Sequence, residues 1–455
     1  MSPTEPSLRS YAASSFLPAM IYEIGNGAVA PVLVTTATAL HASTGIAAFS
    51  VSLLGIGRVL GDVPAAWIAD RFGDRRSMIG AAVLAFVCFF VCIIAPSLLI
   101  LDINLIVLGM TSATFYIARQ AYLLDVVPLP MRARAQSTLA GAHRIGLFIG
   151  PFLGAAAISV SDVRGAYVVA MASAAAAALV LFLVPDAEVN GVQDIKTRAT
   201  GNPVRALRTH LRLFLTLGFA VAAVGAIRQA RQIVLPLWAQ HIGLSPAQTS
   251  IVFGIASAVD MVLFYPSGKV MDRWGRLAIA IPSMLVMAIG MFLLVLTHGI
   301  VALTIVAMLM SFGNGIGSGI MQTIGADAAP DEGRRPFLGI WRLYGDTGQA
   351  VGPLIVSVVA GVATLALGIV SVGFIGLLAA AGLALWVPKF SSFGTPRAVR
   401  LNQQHLNQQH LNQPGPPEGG QAGPPTEGRA AQPEGEPAAQ PDSEIAALML
   451  EELDE

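Results

Sequence analysis

Ten ionisable side chains sit inside long apolar stretches of this chain: Glu23, Arg58, Asp62, Arg119, Arg144, Arg228, Arg231, Asp260, Arg342 and Asp346. A charge in the middle of a hydrocarbon layer costs roughly 3 kcal/mol or more unless it pairs or faces water, so each is a candidate for ligand binding or proton transfer. Other chemistry has little to stand on. The serines and cysteines have no G-x-S-x-G or Cys-His context, and His41, His210, His241 and His298 fall at expected loop or helix ends without metal-ligand spacing. Cys88 and Cys92 lie one helical turn apart in an apolar run, which suits packing and cannot close a zinc site. An enzymatic role, a metal and a cofactor are therefore not expected.

The elements that must position these charges are membrane-spanning helices. Of 455 residues, 55% are apolar and only 12% charged, too few to solvate a globule of this size. Apolar runs of about 20 residues, the length that crosses a bilayer, recur along the chain. Twelve are expected, from Ser14 to Leu40 through Leu365 to Val387. The first is too long for a cleaved signal peptide and reads as a retained helix. The formal charge is zero, so no basic field attracts nucleic acid.

Positive charge assigns the sides. The even-to-odd connections carry Arg71, Arg75, Arg76, Arg132, Arg134, Lys196, Arg198 and six or more further Lys and Arg residues, whereas the odd-to-even connections carry essentially Arg164. Short cytoplasmic loops retain such charge, which puts both termini in the cytoplasm of an inner-membrane protein. The expected organisation is a cytoplasmic N-terminus at 1–13, a first six-helix bundle at 14–184, a central cytoplasmic loop at 185–210, a second six-helix bundle at 211–387 and a disordered cytoplasmic tail at 388–455. The tail's L-N-Q-Q-H repeat and Pro/Gly/Glu stretch cannot bury a core. Its end, 443–455, reads either as frayed chain or as a short acidic helix capped by Ser443 that docks a protein partner.

The two bundles repeat. Asp70-Arg71-x-Gly73-x-Arg75 matches Asp272-Arg273-x-Gly275-Arg276, an offset of 272 − 70 = 202. The same offset carries Pro64 onto Pro266, Asp125-x-x-Pro128-x-x-x-Arg132 onto Asp327-x-x-Pro330-x-x-x-Arg334, and Gly146-x-x-x-Gly150-Pro151 onto Gly348-x-x-x-Gly352-Pro353. Two parallel six-helix halves are the plan of one large transporter class.

On these motifs the chain resembles the major facilitator superfamily over roughly residues 14–387. The resemblance implies an all-α membrane fold of twelve helices in two pseudo-symmetric bundles, embedded in lipid, that moves a small molecule by alternating access. It also implies a conformational latch at Asp70, Arg71, Gly73 and Arg75 and at Gly268, Asp272, Arg273, Gly275 and Arg276, making charge-assisted bonds to a neighbouring helix end that break between states. The first copy departs from the pattern, with Ala66 for the leading glycine and Asp74 for an arginine. Gly146, Gly150, Pro151 and Gly154 resemble the antiporter motif of exporters, although passive small-residue packing accounts for the same string. The arginine that drug exporters carry four residues before a glycine in the fourth helix is absent: Leu105 precedes Gly109, and Arg119 lies nearer the cytoplasm.

The offset also relates opposite charges, Arg58 with Asp260 and Arg144 with Asp346. In the family arrangement their helices line the contact between halves, so a cross-cavity cluster of these four is expected. A static ion pair and a same-helix Arg58–Asp62 pair are its rivals. Glu23, beside Tyr22 and Asn26, occupies a place where exporters keep a protonatable acid. Arg228 and Arg231 could receive an anionic substrate, and snorkelling accounts equally for Arg231. Gly313, Gly315, Gly317 and Gly319 form no phosphate cradle and suit close packing or flexibility. The leading expectation is proton-coupled efflux of a small organic molecule. Its rivals are proton-coupled uptake of an anionic metabolite and a non-transporting scaffold that acts through its tail.

Overall fold

A computed structural model describes residues 12–127, 131–184, 203–330, 333–391 and 393–401. The Gln/Asn repeat and the capped acidic helix expected at 443–455 lie outside the described residues, as does most of the central loop.

Every long element is a helix. In chain order they are α1 (Leu17–Val29), α2 (Leu33–Ala39), α3 (Thr44–Phe72), α4 (Asp74–Ile94), α5 (Leu98–Val126), α6 (Arg132–Val160), α7 (Arg164–Leu183), α8 (Pro203–Thr209), α9 (Leu211–Leu213), α10 (Phe219–His241), α11 (Pro246–Trp274), α12 (Leu277–Leu294), α13 (Ile300–Ile316), α14 (Ile320–Ala328), α15 (Arg334–Val362) and α16 (Leu365–Phe390). Among the described residues, ten helical segments are long and apolar enough to cross a membrane, and a bent pair makes an eleventh. The 29-residue α15 completes twelve passes; Arg334, Arg335, Arg342 and Asp346 dilute its apolar character.

Two passes are broken where one helix was expected. The first bends by 41° between Val29 and Leu33, around Pro31, whose ring removes a backbone donor. The tenth stops at Ile316 and restarts at Ile320, because Gly319 adopts a left-handed φ of 78°. The last helix continues through Pro388 to Phe390. There the chain folds back: Arg276 N and Leu277 N donate to the carbonyls of Phe393 and Gly394, and Val399 is buried. The chain therefore stays on the bundle beyond the composition break at 388.

The repeat extends to the details that start and stop helices. Ser43 caps α3 and Ser245 caps α11 (245 − 43 = 202), the latter in a full capping box with Gln248. Gly73 and Gly275 end the same two helices, both at φ 85°, a backbone that a side chain would strain. Helices α1 and α3–α7 pack mainly on one another, as do α10–α16; between these groups the principal seams run along α6 with α11 and α3 with α15.

Candidate functional site

Between those seams lies a cavity of about 810 Å³. On α3 and α5 it is lined by Arg58, Asp62, Tyr116 and Arg119; on α6, by His143 and Arg144; and from the other half, by Gln229, Ser318, Arg342 and Asp346. These positions occupy the part of α3, α5 and α6 nearer Phe72, Val126 and Arg132, so the cavity opens towards the face that carries Arg71 and Arg273. The opposite face is closed. There Ser357 Oγ donates to the Gly45 carbonyl at 2.8 Å, and Gln240 Nε2 donates to Thr38 Oγ1 at 2.7 Å.

One ion pair spans the seam at the inner end of the cavity. Arg144 Nη1 lies 2.7 Å from Asp260 Oδ2, with each side chain 16% exposed. Its other nitrogen donates to Ser318 at the break in the tenth pass, and Asn314 Nδ2 donates to the second Asp260 oxygen at 2.8 Å. The Arg144 guanidinium also stands 4.6 Å from the Phe264 ring. Arginine presents a fork of donors, so one residue ties α6 to both α11 and the α13–α14 break.

The second expected pairing takes a different form. Arg342, on the same helix as Asp346, lies 3.3 Å from it and reaches Asp62 across the seam at 3.9 Å. Both acids are thus occupied, and Arg58 pairs with neither Asp260 nor Asp346, nor with Asp62 on its own helix. It turns instead to Tyr116, with its guanidinium carbon 5.8 Å from the ring centroid. Arg119 approaches the same ring to 5.0 Å.

Glu23 is fully buried on α1, with Oε1 3.1 Å from His143 Nδ1 and Oε2 accepting from Asn26 at 3.3 Å. A hydrogen on Nδ1, carried by the neutral Nδ1–H tautomer as well as by the imidazolium, bridges two atoms at that separation. Asn26 also donates to the Tyr116 hydroxyl at 3.4 Å, and Tyr116 meets His143 edge-on.

A family model described as the Major Facilitator Superfamily matches residues 16–353 and 213–409. The chain belongs to the major facilitator superfamily. It is 27% identical over 303 residues to the tetracycline resistance protein, class C, of Escherichia coli, covering 64% of this chain and 74% of that protein. It is 24% identical over 286 residues to the multidrug resistance protein MdtH of Klebsiella pneumoniae, with coverages of 63% and 70%. In fold it is similar to the inward-open xylose transporter XylE from E. coli, with a TM-score of 0.64 at 19% identity over 87% of this chain and 100% of that one. It is also similar to an inward-facing bacterial homologue of the human lysosomal transporter Spinster, with a TM-score of 0.66 at 15% identity, over 85% and 98%. Membership makes the protein a multi-pass secondary transporter.

The residues expected to form a latch are unevenly bonded in the two halves. Asp70, Arg71 and Arg273 are exposed, and Asp70 and Arg71 form no ion pair among the described residues. The bonding is done by the neighbouring arginines. Arg75 donates to the Leu181 and Val184 carbonyls at the end of α7, and Arg276 holds Asp327 at 2.9 Å. In the first half the counterpart of Arg276 is Asp74, which shares a surface pocket with Asp125, the counterpart of Asp327. Acid faces acid there, where the second half has an ion pair. A Cβ on Gly268 would meet nothing within 4 Å among the described residues.

The antiporter-type glycines face inward within their own half. A Cβ on Gly146 would meet Met20 O and Glu23 Cβ, one on Gly150 would meet Ile24 O at 2.3 Å, and one on Gly154 would touch Ala28 O. Pro151 lies within α6 beside Gly27 of α1. The string thus seats α1, and Glu23 with it, against α6.

Arg228 donates to the Asn314 carbonyl at 3.3 Å. Arg231 does not snorkel: it is 6% exposed and donates to Ser311 at 2.8 Å, because the hydroxyl supplies an acceptor at membrane depth. Cys88 and Cys92 are free and buried, with Asn104 donating to both residues. Sequence reasoning missed His143, Tyr116, Asn314 and Ser318. His143 directly precedes Arg144, one of the charges inside the fifth apolar run, which was the one available signal.

Proposed function

We propose that the protein is a proton-coupled exporter of a small organic molecule, working in an inner membrane with both termini in the cytoplasm. On that orientation the cavity is open to the cytoplasm. The observation that carries the reading is the Glu23–His143 contact, a buried acid and a half-open imidazole 3.1 Å apart at the edge of the cavity. Protonating the pair removes the carboxylate charge that holds Asn26 and, through it, Tyr116. The substrate pocket is then altered at its wall. Opening the far side requires the Ser357–Gly45 and Gln240–Thr38 bonds to separate while the halves pivot along their seams. The names of two relatives, a tetracycline and a multidrug resistance protein, favour export.

The test uses everted vesicles energised by respiration. Adding an exported compound, tetracycline first, should release protons from the lumen and relieve quenching of a pH dye, and Glu23→Gln should abolish the signal. Proton flow in the same direction as substrate would overturn export in favour of uptake of an anionic metabolite, a second reading that the excess of arginine in the membrane supports.

A further inference from the structure

We propose that Arg58 and Arg119 form the recognition site for an anionic group on the transported molecule, so that the substrate is an organic anion bearing a carboxylate, sulfonate or phosphate. The inference rests on the reading that the central cavity holds substrate. Six arginines lie at membrane depth, and four have their partners within the chain. Arg144 pairs with Asp260, Arg342 with Asp62 and Asp346, Arg228 with the Asn314 carbonyl, and Arg231 with Ser311.

Arg58 and Arg119 remain. Neither has a carboxylate at ion-pair distance among the described residues. Arg58 Nε and Arg119 Nε and Nη1 are shielded from solvent and have no hydrogen-bond acceptor; the same holds for Nε of Arg228 and of Arg231, which each bond through another nitrogen. A shielded guanidinium nitrogen without an acceptor is costly. The neighbouring acids Asp62 and Asp346 are engaged by Arg342, and Glu23 is engaged by His143.

Both guanidinium groups line the same cavity and approach the same Tyr116 ring, at 5.8 and 5.0 Å. An anion between them would receive forked donors from two helices, α3 and α5, with an aromatic wall beside it. Gln120, Gln136, Gln229 and Gln349 offer uncharged donors and acceptors to the rest of the molecule. Tyr116 then links the two sites, since it touches both arginines and reaches Glu23 through Asn26.

The experiment measures binding to the purified full chain in nanodiscs by calorimetry and thermal shift. The probes are benzoate, benzenesulfonate and phenyl phosphate, with benzamide as the uncharged control and inorganic phosphate as the arm that separates an organic anion from a bare one. At least one aryl anion should bind where benzamide does not. Arg58→Gln and Arg119→Gln should each weaken it about tenfold or more, the loss of charge-assisted bonds. Arg119→Lys, a point charge without the fork, should fall between.

If a glutamine variant fails to fold, phenylglyoxal labelling of the unaltered protein read by mass spectrometry takes its place; the aryl anion should protect Arg58 and Arg119. Aryl anions binding no better than benzamide, unchanged affinity in both variants, or inorganic phosphate binding as well as the aryl anions would overturn the proposal. Charge-dependent binding without proton counterflow in vesicles would sink the exporter reading alone, and counterflow with charge-blind binding would sink this one alone.

Discussion

Arg144 concentrates in one side chain the connection between the two halves at the inner end of the cavity. Replacing Asp260 by Asn keeps the shape and the bond to Asn314 but leaves the Arg144 charge without its counterion. Breaking a buried pair this way costs about 3 kcal/mol at full burial and less here, where both side chains touch the cavity. Asp260→Asn should therefore lower the melting temperature and stop transport, whereas Asp260→Asn with Arg144→Gln should regain stability without regaining transport. Equal stability of the single and double variants would show that the Arg144 charge left without its counterion carries no penalty. A second residue-scale expectation concerns the two acids, Asp74 and Asp125, in the first half. Asp74→Arg rebuilds opposite Asp125 the pairing that Arg276 makes with Asp327, and should raise the melting temperature while slowing turnover, by holding the loop to the end of α5. The charges of this site were legible because an offset of 202 juxtaposed opposite signs. Even so, the pattern joined Arg58 to a partner it does not have, since a repeat gives correspondence between halves and not the direction of a side chain. Tyr116 and His143 escaped because an aromatic or a neutral imidazole in an apolar run is indistinguishable from packing until its neighbours are known.

At the scale of elements, the closeness of α1 to α6 decides where Glu23 sits. Gly150 approaches α1 so nearly that a Cβ would fall 2.3 Å from the Ile24 carbonyl, and a Cβ on Gly146 would strike Glu23 Cβ at 2.6 Å. Backbone atoms cannot give way cheaply, so Gly150→Ala should destabilise by about 1–3 kcal/mol, as overpacking does. Gly146→Ala should in addition impair proton coupling more than substrate binding, because it displaces the acid. Gly141, on the same helix, has open space where its Cβ would be. Gly141→Ala should be neutral or stabilise by about 0.5–1 kcal/mol, a control for the helix propensity of alanine. Thermal unfolding of the three variants separates these outcomes, and a Gly150→Ala protein as stable as Gly141→Ala would refute the close contact. The sequence announced helices at this scale but not their interruptions. Apolar runs report what the bilayer tolerates and pass straight through Pro31 and the Gly317–Gly319 break, whose geometry depends on neighbours that satisfy the freed backbone groups. That second break is where Ser318 becomes available to Arg144.

For the whole molecule, the informative contact is the one between Thr38 and Gln240, which are the same position in the two halves (240 − 38 = 202). Positions related by a two-fold axis can touch only where the axis passes, so this bond lies on the pseudo-symmetry axis at the closed face. A pivot about the seams that opens that face must part these two residues first. A protein with Thr38→Cys and Gln240→Cys, treated with a short thiol cross-linker, should therefore join readily in the resting state. It should then bind substrate from the open face and fail to release it on the other side, with transport restored when a cleavable linker is reduced. The native Cys88 and Cys92 are buried and leave the background low. A cross-linked protein that still transports would mean that substrate leaves by another route and that the halves do not separate at their shared axis. The duplication itself was readable from loop motifs far from this point, yet no motif marks Thr38 or Gln240, because a contact on an axis is a property of how two copies meet and neither copy contains it alone.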